Sequence, residues 1–219
     1  MGARIKGDPK SIWPRLVGFI FFKQESILLC NCGENALLCM ANDLQRLAAI
    51  CKQERPVLKN IKYIVFDHDG TLVDTASYPT RLYPGMKDLI NDISDLDCEL
   101  FVWTARNRNS TIEILDSLGI ISEFKDLSCV GSSEAAQKPS PEGIQNMLLH
   151  AESRDEVIVI GDSLGDMIGG KRYGAHTIGA LWSHGNMDSQ QTYIDHGADI
   201  FFTDINECRN YLIKKIRGK

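Results

Sequence analysis

Six short apolar runs, alternating with segments of helical length, constrain this chain more than any other feature of it. The runs lie at 63–66 (YIVF), 100–103 (LFVW), 127–130 (LSCV), 157–160 (VIVI), 177–181 (TIGAL) and 200–202 (IFF). Helical patterns fall between or after them, near 86–95, 109–118, 142–151, 164–173 and 204–216. Continuous β-rich runs of this kind belong to strands buried on both faces, which is the signature of a parallel sheet with helices on either side. The expected fold for residues 61–219 is therefore α/β, a doubly wound, Rossmann-like parallel sheet. In that architecture ligands bind at the carboxyl ends of the strands.

Residues 1–60 have a different character. Leu16–Phe22 and Ser26–Cys30 read as two strands around a polar turn, and Leu37, Leu38, Leu44, Leu47, Ala48 and Cys51 recur at helical spacing up to Pro56. A small β-β-α extension packed on the core is expected there. Cys30-x-Cys32 has no second ligand pair at zinc spacing. The seven cysteines are odd in number and scattered, which argues against a disulfide framework and for a reducing compartment. Leu16–Phe22 is the most apolar window, far short of the roughly 20 residues a membrane span needs, and Lys23, Gln24 and Glu25 follow it where a signal peptide would have small residues. A soluble cytoplasmic protein is expected. A net charge of −5 argues against general nucleic-acid binding, and the basic tail Lys214, Lys215, Arg217 and Lys219 is the one feature that suits a membrane surface or, equally, a helix C-terminus.

The strand ends carry the chemistry. The first run ends in Asp67-His68-Asp69-Gly70-Thr71, the second in Thr104-Ala105-Arg106, and the fourth in Gly161-Asp162-Ser163-Leu164-Gly165-Asp166. Between them Lys138-Pro139-Ser140-Pro141 places a cation in a loop, with Ser140 as N-cap and Pro141 at the first helical position. A carboxylate nucleophile, a second acid, a hydroxyl beside amides, a lysine and two further acids suited to a hard cation match phosphoryl transfer. His68 is read as pointing away from both neighbouring acids, by strand alternation.

The series DxDGTL, strand-end Thr, Lys-Pro and GDSxxD, in this order over about residues 61–203, resembles the haloacid dehalogenase superfamily. That resemblance implies Asp67 as nucleophile and metal ligand, and Asp69 as general acid/base lending its carbonyl to Mg²⁺. It implies that Thr104, Ala105, Arg106 and Gly70 bind the substrate phosphoryl group, that Lys138 pairs with Asp67 and the phosphate, and that Asp162 and Asp166 complete the metal site. Asp69 marks the phosphatase branch of the superfamily.

Only 37 positions separate Asp67 from Thr104, and 34 separate Thr104 from Lys138. Neither gap holds the cap domain that small-molecule members of the superfamily usually carry. Arg81-Leu82-Tyr83-Pro84 also resembles the capless magnesium-dependent phosphatases that act on phosphotyrosine, so a phosphoprotein substrate entering a crevice walled by Tyr78, Tyr83 and Trp103 is the leading expectation. Core or flap packing is the alternative for these aromatics, and for Trp103 it is the preferred reading. The segment GDSLGDMIGGKRYGAHTIGALWSHG resembles the phosphoglycolate phosphatases instead, which makes a small-molecule phosphatase with residues 1–60 as a lid the alternative. A non-catalytic phosphate-binding scaffold is the third. Arg106 and Arg108 are either substrate grips or solvated arginines, and His176, His184 and His196 read as surface or turn residues.

Overall fold

Alternation along the first strand explains the layering of the molecule. In β1 (Tyr63–Phe66) the side chains of Ile64 and Phe66 enter one apolar cluster and those of Tyr63 and Val65 another, and all four are buried. A strand covered on both faces in this way reads as an unbroken apolar run, each large side chain contributing about 2 kcal/mol of hydrophobic burial. The computed structural model describes residues 61–183 and 190–218. The expectations for residues 1–60, the domain boundary there and His184 lie outside the described residues.

The remaining elements follow in order: β2 (Val73–Asp74), β3 (Arg81–Leu82), α1 (Met86–Ser94), β4 (Glu99–Thr104), α2 (Arg108–Ser117), β5 (Phe124–Cys129), α3 (Glu142–Met147), β6 (Val157–Gly161), α4 (Leu164–Tyr173), β7 (His176–Ala180), α5 (Gln190–Asp195), β8 (Ile200–Phe202) and α6 (Ile205–Ile216). Six strands form one parallel sheet in the order β5-β4-β1-β6-β7-β8. This is the doubly wound α/β arrangement, with the winding reversing between β1 and β6. Phe66 lies opposite Ile160 in that pair, so Asp67 and Gly161-Asp162 emerge side by side at the reversal point. Met86, Leu89, Ile90 and Ile93 of α1 join Ile205, Cys208 and Leu212 of α6 on one face of the sheet, while Ile144, Met147 and Tyr173 cover the other. Among the described residues no helix is long and apolar enough to cross a membrane.

Several local expectations change. The third strand runs Phe124–Cys129 rather than 127–130, beginning earlier through an irregularity in its pairing with β4. The helix expected at 142–151 leaves helical geometry at Leu148 (φ −110°, ψ 38°), which keeps Leu148 in the core and turns Leu149 out, 84% exposed. Its N-cap is Pro141 rather than Ser140, although the Ser140 hydroxyl still accepts a hydrogen bond from the amide of Glu142 at 3.4 Å. The ribbon of β2 and β3 and the helix α5 were not anticipated. His176 is no surface residue: its ring lies 3.0 Å from Asp199 and 3.0 Å from the Tyr211 hydroxyl, tying β7 to α6.

Candidate active site

Asp67 is the first residue beyond β1, and its amide donates to the carbonyl of Ile160 on the neighbouring strand at 2.8 Å. The chain then turns back sharply. The amides of Leu72 and Val73 both donate to the carbonyl of His68, and Gly70 takes φ +81°, a left-handed conformation that favours glycine. A Cβ at Gly70 would also collide with the Asp162 carboxylate, so glycine lets that acid approach the turn. Trp182, just beyond β7, anchors the turn by donating its indole N–H to the carbonyl of Thr71 at 3.0 Å.

The Lys138 ammonium reaches Asp67 Oδ1 and Asp166 Oδ1, both at 2.6 Å. Its side chain is 9% exposed, as is that of Asp67, and Asp166 is fully enclosed. The other oxygen of Asp166 accepts from the amide and hydroxyl of Ser163, closing a capping box at the start of α4. This acid is thereby held at both oxygens. Tyr193 of α5 donates its hydroxyl to the carbonyl of Asp162.

Asp67, Asp162 and Asp166 each offer a carboxylate oxygen within 4.8 Å of the others. Burial, and then the neighbouring acids against the pull of Lys138, push Asp67 above the usual carboxylate range. Burial, and next Asp166, raise Asp162 to about 7. Lys138 is raised despite its burial, because Asp166 and Asp67 flank it. Three acids crowded around one lysine leave negative charge uncompensated, and the donors are all hard oxygens, the set a small divalent cation prefers. Mg²⁺ fits this cluster, with Asp67 and Asp162 the direct candidates. Asp166, with both oxygens engaged, sits behind them.

Thr104 is fully buried at the end of β4, its hydroxyl accepting from the amide of Arg106 at 3.1 Å. Arg106 reaches across from that loop to Asp69, with Nε 3.1 Å from Oδ2 and Nη2 2.5 Å from Oδ1, and its Nη1 donates to Ser110 at 2.9 Å. Burial alone would raise Asp69, but His68 and Arg106 hold its carboxyl well below the usual range. The geometry therefore brings the sequence-derived residues Asp67, Lys138, Asp162 and Asp166 into one cluster. Asp69 faces Arg106, beside it.

One reading is corrected, and two that the sequence left open are decided. His68 does not point away from Asp69: its Nδ1 is 3.4 Å from Asp69 Oδ1, though neither ring nitrogen makes a well-formed hydrogen bond. Strand alternation fails there because β1 has ended at Phe66 and the chain is already turning. Trp103 is wholly buried and cannot wall a crevice. Arg108 is clamped by Glu134 at 2.5 and 3.0 Å and by the carbonyl of Leu127 at 2.6 Å, which makes it a loop brace rather than a substrate grip. Of the aromatics, Tyr78 is fully exposed at the tip of the ribbon, and Tyr83 packs against the core. Ser163, Trp182 and Tyr193 support the site without having been singled out. Only Ser163 had a local signal, as an N-cap three residues before an acid.

A family model described as haloacid dehalogenase-like hydrolase matches residues 76–180, a span that includes Thr104, Lys138, Asp162 and Asp166. Over that span the chain is similar to the haloacid dehalogenase-like hydrolases. The turn with Asp67 and Asp69 precedes the matched span, and the central position of β1 supplies it. A phosphoglycolate phosphatase from Aquifex aeolicus (strain VF5) is 29% identical over 112 residues, 51% of this chain and 52% of that protein, so the chain spans about half the length of this curated relative. A structure of a haloacid dehalogenase superfamily hydrolase from Ehrlichia chaffeensis has TM-score 0.59 at 17% identity, covering 73% of this chain and 98% of that one. A predicted phosphatase from Clostridium acetobutylicum gives TM-score 0.60 at 15% identity over 71% of this chain and all of that one, 100%. At such identities the two structures speak for a shared fold alone.

Proposed function

We propose that this haloacid dehalogenase-like domain is a Mg²⁺-dependent phosphomonoesterase working through an aspartyl-phosphate on Asp67. The observation that carries the reading is the placement of Asp67 at the strand reversal, paired with Lys138 at 2.6 Å and sharing a tight acidic cluster with Asp162 and Asp166. An Asp67 oxygen attacks phosphorus, the ester oxygen departs with a proton from Asp69, and a water deprotonated by Asp69 then cleaves the acyl-phosphate, returning the Asp67 carboxylate and inorganic phosphate. Lys138 and the Thr104 loop hold the phosphoryl oxygens. Mg²⁺ at the acidic cluster would supply the charge neutralisation that lets a carboxylate approach an anionic ester.

The substrate class this reading favours is a small phosphomonoester of the phosphoglycolate kind. The Aquifex relative supports it, and so does Arg106. Its guanidinium already grips a carboxylate with two hydrogen bonds, the geometry in which arginine recognises carboxylates and phosphates. Asp69 is ionised in that grip, so it must be released and take up a proton from solvent before it can protonate the leaving oxygen, and an acidic group on the substrate is the natural replacement. A phosphotyrosyl peptide is the second reading. It is favoured by the lack of a cap among residues 67–138, where the ribbon of β2 and β3 and the fully exposed Tyr78 stand instead. Phosphate release with Mg²⁺, compared by kcat/KM across phosphoglycolate, phosphotyrosine peptides and an aryl phosphate with no second acidic group, separates the two. Higher values for phosphoglycolate support the first, and a strong preference for the peptide supports the second.

A further inference from the structure

Trp103 is a large aromatic where the sheet could have used any apolar residue. It is fully buried in β4, and its indole N–H finds no partner. Such an orphan donor is unfavourable and calls for an explanation. Two helices have given way to seat the ring: a Cβ at Gly143 on α3 would stand 2.6 Å from its Nε1, and one at Gly169 on α4 would stand 2.5 Å from its Cη2. The seated ring presents its face to the Lys138 ammonium, 4.5 Å from the ring centroid.

We infer that Trp103 is a positioning residue for the reaction, a platform that fixes the Lys138 ammonium between Asp67 and Asp166. The inference rests on the phosphomonoesterase reading for its kinetic consequence. Asp67 and Asp166 accept from the ammonium at 2.6 Å each, which engages two of its three N–H donors. A third carboxylate would also hold the cation, but it would add negative charge to a site that must admit a phosphate dianion. The indole face attracts the cation without adding net charge, and the attraction is strongest where water is excluded. A lysine side chain has four flexible bonds, so a rigid wall on its open side restricts it to the productive rotamer.

The test compares Trp103→Phe and Trp103→Leu with Phe101→Leu, which removes a buried aromatic from the same strand and the same apolar cluster. Trp103→Leu is expected to lower kcat about tenfold or more with KM within about twofold, Trp103→Phe to keep kcat within about threefold, and Phe101→Leu to lose comparable thermal stability with kcat nearly unchanged. Equal kcat in the two leucine variants overturns the inference. A second readout needs no turnover. Lys138→Met should change the intrinsic indole fluorescence of the protein, and the change should vanish in a Trp103→Phe background; an identical change in both backgrounds overturns the inference. If the wild-type protein releases phosphate from nothing, the functional reading fails while the fluorescence comparison still decides the contact.

Discussion

Arg106 and Asp69 show how far a single pair can set the behaviour of this site. With both Asp69 oxygens on one guanidinium, the acid is held ionised and turned toward β4, and the proposed acid–base role of Asp69 requires that pair to part. Arg106→Ala is expected to lower kcat/KM for a phosphomonoester with a carboxylate near the phosphate by about 10- to 100-fold, and by clearly less for an aryl phosphate with no second acidic group. Arg106→Lys should recover little of the loss, since an ammonium lacks the forked geometry. Equal losses on both substrates would show that Arg106 serves Asp69 alone. Asp69→Asn should reduce turnover by about 10²- to 10⁴-fold with any ester, measured as steady-state phosphate release.

Among the elements, the turn between β1 and β2 sets the geometry of the proposed metal site. Gly70→Ala meets both a left-handed backbone and the Asp162 carboxylate, whereas Gly119 has φ +68° but open space around a would-be Cβ. Both alanine variants should lose about 1 kcal/mol to backbone strain, yet only Gly70→Ala should weaken Mg²⁺ binding in a calorimetric titration. The same comparison of elements shows what the sequence made legible. The four central strands, β4, β1, β6 and β7, are buried along almost their whole length and announce themselves as apolar runs, with the motif acids at the ends of β1 and β6; the edge strands β5 and β8 are less buried, and β5 shows as an apolar run only from Leu127. The two-residue strands of the ribbon are too short to carry a period, and α5 buries only Tyr193, so neither left a pattern. The Asp69–Arg106 and Lys138–Trp103 contacts join residues 37 and 35 positions apart, and no local rule announces a contact at that separation. Trp103 follows from alternation once β4 is known to include Thr104: its side chain lies with Phe101, on the covered face.

For the whole molecule, the acidic cluster couples stability to pH and metal. Asp67 and Asp162 take up protons more readily folded than unfolded, so the metal-free fold binds extra protons between about pH 4 and 7. Their contribution is full below that window and lost as pH rises through it, which makes metal-free protein less stable to heat near pH 8 than near pH 6. Asp69 and Asp199, held low by their partners, act oppositely, but only below about pH 4. Mg²⁺ competes with those protons, so the rise in Tm on adding it should grow from about pH 5.5 to about pH 8; a rise independent of pH would place the ion elsewhere. The central claim, covalent transfer to Asp67, is tested most directly by rapid acid quench of Mg²⁺-loaded protein mixed with a radiolabelled phosphomonoester. The account predicts protein-bound label that hydroxylamine releases, present in the wild type and absent from Asp67→Asn. Turnover without protein-bound label, or equal labelling of the Asp67→Asn protein, would contradict it.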